Sequence, residues 1–168
     1  MTLLNLPAGT QIIIQEVVDN ALATQGLNKK TITEITIPES VTEIGEMAFM
    51  GCECLTTLNL PNGITQIGTW AFSGCTSLTN IKLPDRINEI AESTFSECTS
   101  LTSIVIPENV TEIGKYAFSE CTSLSSIVMP ENVTEISVDA FSLCKSLSSI
   151  VIPENVTEIG EEAFSRCE

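Results

Sequence analysis

A period of 23 residues runs through most of the chain and constrains its fold more than any other feature. Proline recurs with this step, and phenylalanine and cysteine recur with the same step at fixed offsets. The positions are Pro38, Pro61, Pro84, Pro107, Pro130 and Pro153; Phe49, Phe72, Phe95, Phe118, Phe141 and Phe164; and Cys52, Cys75, Cys98, Cys121, Cys144 and Cys167. Such a period is typical of a solenoid, in which each repeat buries its apolar face against its neighbours. The sequence therefore predicts a long ordered surface rather than a closed catalytic pocket.

The charge balance of the chain argues against two classes of partner. Its 22 Asp and Glu outnumber 7 Lys and Arg, which gives a formal net charge of -15. Binding of nucleic acid or of anionic lipid needs clustered basic side chains, and those of this chain are scattered. We therefore expect no nucleic-acid partner, and no membrane insertion because no apolar stretch reaches the length of a spanning helix. A protein partner is expected, and a basic one would be attracted to the acidic surface.

The absence of histidine weighs against catalysis. Histidine is the commonest general base near neutral pH and the commonest zinc ligand, and no Ser-His or Cys-His triad forms without it. No glycine-rich phosphate loop is present either. We expect no enzymatic activity, no catalytic residue, no cofactor and no metal. The 43% of hydrophobic residues still suffices for one continuous core.

Residues 101–123 illustrate the predicted coil. Apolar residues alternate just ahead of Pro107, as in a short strand, and proline has no N–H with which to continue a ladder. Val110 and Ile113 flank polar residues, which suits a second short extended segment or a tight bend. Stacked coils would form columns of like residues about 4.8 Å apart, with the phenylalanines and isoleucines as the core.

The second half of each repeat is predicted to turn the chain back. Gly114 permits a turn, and residues 115–119 suit a single helical or 3₁₀ turn. Twenty-three residues are too few for a full crossover helix, so we expect little regular helix.

The chain is predicted to divide into two parts. Residues 1–31 form a degenerate N-terminal capping repeat, with about eight extra residues. Within this part Val17, Val18, Ala21 and Leu22 have helical spacing, and Gly26 is placed to end the helix. Residues 32–168 form six 23-residue repeats, of which the last is incomplete and uncapped.

The last repeat stops at Cys167 and Glu168 with no following strand and no polar cap. An uncapped parallel edge exposes unpaired backbone and apolar side chains. Two interpretations remain: a truncated fragment, which we favour, or an end that pairs with another copy to form a homodimer.

Three motifs, Leu-x-x-Ile-x-Ile-Pro, Val-x-x-Ile-Gly and Ala-Phe-x-x-Cys, together resemble the BspA-type leucine-rich repeat, also called the Treponema pallidum type. The resemblance covers residues 32–168 almost entirely, and residues 4–31 in degenerate form. Departures are few: Thr94 replaces Ala, and Ala91 and Ser137 replace Gly. The resemblance implies a leucine-rich-repeat solenoid: a right-handed, curved coil with short parallel strands on its concave face and little helix. It implies no catalytic residue.

The cysteine column allows two interpretations. In a core position cysteine behaves as a small hydrophobe, and stacked side chains point the same way, so we expect buried free thiols. Disulfides between coils, or a metal, are the alternative, because like residues of adjacent coils fall within the Cα separation that a disulfide tolerates. Cys54 lies outside the column and, if exposed, is available to crosslink two chains.

Two acidic columns are predicted along the turn edge. They comprise Glu39, Asp85, Glu108, Glu131 and Glu154, and beside them Glu43, Glu89, Glu112, Glu135 and Glu158. Like charges at strand spacing repel each other, and Ca²⁺ would relieve the repulsion, but no loop gathers the oxygens that Ca²⁺ prefers. We therefore favour a solvated face that resists edge-to-edge aggregation.

The solvent-facing strand positions form the candidate binding surface. Two columns are rich in hydroxyls: Thr33, Thr56, Thr79, Thr102, Ser125 and Ser148; and Glu34, Thr57, Asn80, Ser103, Ser126 and Ser149. A third column, Thr36, Asn59, Lys82, Val105, Val128 and Val151, changes from polar to apolar. We assign partner binding to Lys82, Ser103, Val105, Ser126, Val128, Ser149 and Val151, because a low-charge apolar strip is a surface that a partner covers. Residues 103–114 and 149–160 are identical, which favours the competing interpretation of recent duplication without a ligand.

These observations lead to two functional hypotheses. The first is a protein–protein interaction module that binds through the concave strand face; the resemblance implies adhesion or host-protein binding, at a cell surface or after secretion. The alternative is a structural spacer within a larger multidomain protein. A calcium-dependent module or an enzyme is opposed by the missing ligand cluster and the missing histidine. The chain opens without a secretory signal, so the cytoplasm also stays open as a location.

Overall fold

The structure is a computed structural model that describes residues 2–167. Met1 and Glu168, the outermost residues of the predicted cap and the predicted last repeat, lie outside the described residues. The strands are β1 (Leu3–Asn5), β2 (Ile12–Ile13), β3 (Glu34–Thr36), β4 (Glu43–Ile44), β5 (Thr57–Leu58), β6 (Gln66–Ile67), β7 (Asn80–Ile81), β8 (Glu89–Ile90), β9 (Ser103–Val105), β10 (Glu112–Ile113), β11 (Ser126–Val128), β12 (Glu135–Ile136) and β13 (Glu158–Ile159). Helix α1 (Gln15–Gln25) and a 3₁₀ helix (Lys29–Thr31) lie between β2 and β3.

The strands form two sets of parallel pairs, one for each strand position in a coil. First strands pair as β1–β3, β5–β7 and β9–β11, and second strands as β2–β4–β6 and β8–β10–β12–β13. Equivalent repeat positions face each other, for example Ile104 and Ile127 in β9 and β11. The predicted repeat solenoid of short parallel strands with little helix is confirmed.

A turn that begins at each proline joins the two strands of a coil. Pro107 follows β9, and its carbonyl accepts a hydrogen bond from the Val110 N–H at 3.1 Å. The same bond recurs from Ile64 to Pro61 and from Val133 to Pro130, both at 3.2 Å. The residues after the turn form the second strand, β10 in this repeat, which confirms the second extended segment.

The segment after the second strand does not form the predicted helical or 3₁₀ turn. Residues 115–120 form consecutive turns instead, in which Tyr116 and Glu120 have φ of 54° and 61°. The equivalent residues of the other repeats also have positive φ, and at two of them, Gly51 and Gly74, the residue is glycine. A left-handed residue at every fourth position interrupts helical hydrogen bonding, so no helix forms here.

Alternate N–H groups attach these turns to the next coil. The Ala117 N–H donates within its own coil to the carbonyl of Gly114 at 3.2 Å. The next N–H, that of Phe118, donates across to the carbonyl of Ala140 in the following coil at 2.8 Å. This alternation makes the turns a third intercoil ladder, which sequence analysis missed because turn residues carry no strand pattern.

The glycine after the second strand serves close packing rather than a turn. Gly114 lacks a positive φ, and a Cβ built on it would lie 2.7 Å from the carbonyl oxygen of Ile90 in the preceding coil. Gly68 is equally restricted, with a Cβ position 2.8 Å from the Glu46 nitrogen. The prediction that Gly114 permits the turn is therefore wrong; the positive φ belongs to Tyr116.

The phenylalanine column forms the centre of the core. Its members stack with ring centroids 5.2–5.6 Å apart and interplanar angles of 1–14°. The five rings from Phe49 to Phe141 are fully buried, and Phe164 in the last coil is half-buried. The isoleucine column behaves similarly, and its last member, Ile159, is 54% exposed. The predicted core columns are confirmed, and their burial is lost in the last coil.

Helix α1 packs against the N-terminal end of these columns. Val18, Ala21 and Leu22 are buried in the same core as Phe49, which is fully covered although no phenylalanine precedes it. Gly26 ends the helix with φ of 64°, as predicted. The boundaries of the predicted cap and repeats stay a prediction. No helix within residues 2–167 has the length and apolarity needed to cross a membrane.

The side chain of Gln25 pairs with β1 as a neighbouring strand would. Its Oε1 accepts the Asn5 N–H at 3.2 Å, and its Nε2 donates to the Asn5 carbonyl at 2.8 Å. Both backbone groups of that edge residue are thereby satisfied, which leaves β1 less able to pair with another chain.

The stability of the core is expected to depend on position in the phenylalanine column. Phe95→Ala should lower the free energy of unfolding by about 3–5 kcal/mol, because it leaves a cavity between two stacked rings. Phe164→Ala should cost less, because that ring is half-buried and stacks on one side only. Urea unfolding of both variants measures the difference, and equal losses would contradict the stacking argument.

Candidate binding surface

The candidate binding surface is the set of three solvent-facing columns named above, which we call the strand face. Its valines are exposed: Val105 by 65%, Val128 by 56% and Val151 by 84%. Val105 and Val128 lie opposite each other in the paired strands β9 and β11, as do Ser103 and Ser126. The register therefore sets these four candidate residues side by side.

Ser149 and Val151 occupy a different setting from the other candidates. Residues 147–153 form no strand, so the predicted strand of the last coil is absent and the expected ladder ends at β11. Ser148 shows the same departure, because its N–H donates to Ser146 within its own coil. In the preceding coils the equivalent N–H, for example that of Ser125, donates to the coil before, in this case to Thr102.

The first hydroxyl column of the strand face is used in part by the fold. The Thr79 hydroxyl donates to the carbonyl of Thr56 at 3.3 Å, and the Thr102 hydroxyl donates to Thr79 at 3.3 Å. Thr56 and Ser125 make equivalent bonds. Because these donors are already engaged, the valine column and the second hydroxyl column offer more to a partner.

Charge is nearly absent from the strand face. Of the 22 acidic residues in the chain, the strand face contains only Glu34, and of the 7 basic residues it contains only Lys82. The net charge of -15 is therefore carried elsewhere on the molecule. The strand face thus shares with interface cores a depletion of charged residues, and it adds exposed aliphatic side chains.

Three grooves open on the strand face where successive first strands are not hydrogen-bonded. One of about 370 Å³ lies between β7 and β9 and is lined by Lys82, Ser103, Val105 and Asp85 among others. Two others, of about 320 and 180 Å³, lie between β3 and β5, and both are lined by Glu34 among others. The structure thus brings Lys82, Ser103 and Val105 together in one groove, which the sequence pattern does not predict.

Lys82 has no ion-pair partner in this groove. Its side chain is exposed, and Asp85 lines the same groove without approaching its ammonium group within 4.0 Å. Within residues 2–167 the one ion pair joins Lys30 and Glu53, with 2.7 Å between Nζ and Oε1.

The second acidic column forms an in-register ladder. Glu112 lies opposite Glu89 on one side and Glu135 on the other. Partial burial raises the pKa of the Glu112 carboxyl above its ordinary value, and the charges of Glu135 and Glu89 raise it further. Within the described residues no group of three or more Cys, Asp or Glu is placed to hold a metal ion.

The cysteine column donates hydrogen bonds between coils. The Cys98 thiol lies 3.2 Å from the Phe72 carbonyl of the preceding coil, and Cys121 and Cys144 make equivalent bonds at 3.1 Å. Each such carbonyl also accepts an N–H from its own coil, as Phe72 does from Cys75. The sequence analysis did not predict this hydrogen bond. The repeated Phe-x-x-Cys spacing is the pattern from which it could have been predicted.

All six thiols of the cysteine column are free, as predicted, but they are not all buried. Five members of the column are buried, but Cys167 is half-buried, so the expectation of a core position for all six is wrong for the last coil. Burial raises the pKa of Cys52 to about 11 and that of Cys144 to about 12. Cys54 is exposed and free.

An asparagine column joins the proline turns, and sequence analysis missed its role as well. Asn132 Nδ2 donates to the Glu108 carbonyl of the preceding coil at 2.7 Å. Asn109 and Asn155 make the same bond at 2.7 and 2.8 Å.

Comparison with known proteins identifies the repeat. The pattern of the BspA type leucine rich repeat region matches residues 22–145 in six copies. No curated protein matches the chain.

Several solved bacterial structures share the fold. A leucine-rich repeat protein from Eubacterium ventriosum is 31% identical with a TM-score of 0.73, covering 81% of this chain and 37% of its own length. A leucine rich cell surface protein from Faecalibacterium prausnitzii is 39% identical with a TM-score of 0.76, again covering 81% and 37%. The T. pallidum leucine rich repeat protein is 35% identical with a TM-score of 0.78, covering 82% and 64%. The chain therefore spans less than two thirds of each of these structures.

The acidic ladder is expected to lower stability at neutral pH. Because the pKa of Glu112 is raised in the folded state, the folded protein binds its proton more tightly than the unfolded chain does, and stability falls as pH rises through this window. Glu112→Gln, which copies Gln66 of the same column, should stabilise the protein by about 0.2–1 kcal/mol at pH 7. At pH 3, below the ordinary glutamate pKa of about 4.3, the gain should vanish.

Glu161→Gln is the matched control, because it removes an equal charge from an exposed turn position that lies outside both acidic columns. Urea unfolding compares each of the two variants with the unsubstituted protein at pH 7 and at pH 3. Equal stabilisation by both variants at pH 7 would show that the effect is one of net charge rather than of the ladder.

Proposed function

Since the chain belongs to the BspA-type leucine-rich repeat family, we propose that it is a protein–protein interaction module that binds through its strand face. The observation that supports this most directly is the strip of exposed valines on a surface almost free of charge. Exposed aliphatic side chains on a rigid ladder lose little conformational freedom when a partner covers them. The groove beside Lys82 adds depth to an otherwise flat surface.

We also propose that the setting of this interaction is a cell surface, where the module serves adhesion or host-protein binding. The Faecalibacterium prausnitzii neighbour is described as a cell surface protein, which supports the location by analogy. The family that matches residues 22–145 is a leucine-rich repeat family and not an enzyme family, which is consistent with a binding role.

The partner is proposed to be basic overall. Because 21 of the 22 acidic residues lie off the strand face, their field surrounds the binding surface without occupying it. Such a field attracts a cationic protein over long range and raises its association rate at low salt. The valines then supply the short-range contact.

The competing function is that of a structural spacer within a larger protein. Residues 103–114 and 149–160 are identical, and their inward and turn-forming side chains are those that the fold requires. A spacer needs the columns of the core but makes no demand on Val105 or Val128.

We further propose that a second copy covers the C-terminal coil. Ile159 is 54% exposed and Phe164 is half-buried there, whereas at the N-terminal end of the same columns Ile44 is covered by Ile13 of β2 and Phe49 is buried with residues of α1. Apposition of two such ends would remove these side chains from water. The negative charge of both copies opposes their approach, so salt should favour the pair.

Substitution on the strand face is expected to separate the module from the spacer. Val105→Asn with Val128→Asn copies Asn59 of the same column and removes two aliphatic contacts, so affinity for a protein partner should fall at least about tenfold. Binding to an array of purified extracellular proteins, followed by interferometry on each hit, measures this. The matched control is Glu108→Asn with Glu131→Asn, on the turn edge of the same coils.

A partner lost only by the edge control would place the binding surface on the acidic edge instead. A partner that still binds both double variants would contradict the proposal that binding occurs through the strand face. Absence of any partner, with folding intact, would favour the spacer.

The C-terminal pairing is expected to appear as a dimer in light scattering. The dimer fraction should rise with salt, should survive reductant, and should fall in Ile159→Gln. A monomer at every concentration would overturn the pairing. A dimer dissolved by reductant would instead indicate a disulfide crosslink at Cys54 or Cys167, the two thiols that are not buried.

A further inference from the structure

We propose that the groove between β7 and β9 binds an aspartate or glutamate side chain of an extended partner segment, with an aliphatic residue of that segment on the adjoining valines. The inference rests on the proposed function and specifies what the strand face recognises. The groove is lined by Lys82, Ser103 and Val105, which offer a cation, a hydroxyl and an aliphatic side chain over a single coil step.

Charge complementarity supports the carboxylate. Lys82 is the only basic residue of the strand face, its side chain is exposed, and no carboxylate of the described residues lies within 4.0 Å of its ammonium group. Lys30, in contrast, is paired with Glu53. Lys82 is therefore free to meet a partner carboxylate, and the Ser103 hydroxyl in the same groove supplies a second donor.

The position of Lys82 in its column supports the aliphatic neighbour. In the preceding coils this column holds Thr36 and Asn59, and in the following coils Val105 and Val128. Lys82 thus stands at the border between polar and apolar halves of the strand face. A segment that places its carboxylate here extends its next outward side chains over the valines.

Spacing decides which residue of the segment reaches the valines. Neighbouring coils are about 4.8 Å apart, and an extended chain that runs along the solenoid places side chains i and i+2 about 6.6 Å apart on one face. If the partner's carboxylate binds Lys82, the partner side chain two positions before or after it therefore lies between Val105 and Val128. The recognised pattern is an acidic residue and a branched aliphatic residue separated by one position.

Asp85 limits the approach to the groove. Its carboxylate lines the same groove and repels an incoming acidic side chain, although it lies beyond ion-pair distance of Lys82. An incoming carboxylate is therefore attracted by Lys82 and repelled by Asp85 in the same groove. Removal of the Asp85 charge is expected to raise the affinity for the acidic segment, whereas removal of the Lys82 charge is expected to lower it.

The experiment uses two end-blocked peptides and the full chain. The probes are acetyl-Ser-Asp-Ser-Val-Ser-amide and the same peptide with Asn in place of Asp. Titration is followed by NMR on the valine methyls and backbone amides. The Asp peptide should shift the signals of Val105, Val128 and residues 80–83, and the Asn peptide should bind more weakly.

Three variants complete the design. Lys82→Gln should lower affinity for the Asp peptide about three- to fivefold, the effect of losing one exposed ion pair. Asp85→Asn should raise it. Lys115→Gln, which removes an exposed lysine from the turn side of the coil, is the matched control and should change nothing.

The outcomes separate the inference from the proposed function. Equal binding of both peptides at the valines, unaffected by Lys82→Gln, would overturn the carboxylate and leave strand-face binding intact. Shifts spread over all lysines would show non-specific charge attraction and overturn the site. Absence of any shift would also overturn it, while the protein array decides the proposed function independently.

Discussion

Hydrogen bonding from coil to coil is the constraint on which the rest of the structure depends. Strands and turn segments bond from one coil to the next, as the Phe118 N–H does to the Ala140 carbonyl, although the first strands pair only two by two. A backbone polar group buried without a partner is costly, so every coil must keep the same length and register. This requirement explains why the period never slips and why like residues form columns. A single inserted residue would displace three ladders at once.

The columns then add contacts that only stacking makes available. Phenylalanine rings face their counterparts 5.2–5.6 Å away, and each buried thiol donates to the carbonyl of the phenylalanine one coil before. The asparagine of the proline turn does the same with its side-chain amide. These contacts exist only between neighbours, so the first and last coils lack half of them. Helix α1 and the Gln25 side chain supply the missing partners at one end, whereas in the last coil Ile159 is exposed and Phe164 is half-buried.

The same architecture divides the surface by charge. The turn edge and the second strands carry ten of the acidic residues, and partial burial together with the charges of Glu135 and Glu89 raises the pKa of Glu112. The first strands carry hydroxyls and valines, with Lys82 and Glu34 as their charged residues. A rigid solenoid therefore presents an electrostatic field and a neutral contact surface in separate places. The acidic residues can attract a partner over long range while the neutral surface makes the specific contacts, an arrangement that suits a binding module.

The sequence by itself determined the coil, its core columns, the helix ending at Gly26 and the candidate valine strip, because each follows from a repeated local pattern. Tertiary structure alone decided which features depend on two coils at once. Gly114 is needed because Ile90 of the preceding coil approaches it closely, and Tyr116 takes the positive φ that the turn requires. Whether adjacent strands form hydrogen bonds decides two further features, the absent strand at residues 149–151 and the groove beside Lys82. Because the repeats are nearly identical, their sequences do not predict which strand pairs form. A repeat specifies its own conformation; its neighbours decide what it can contact.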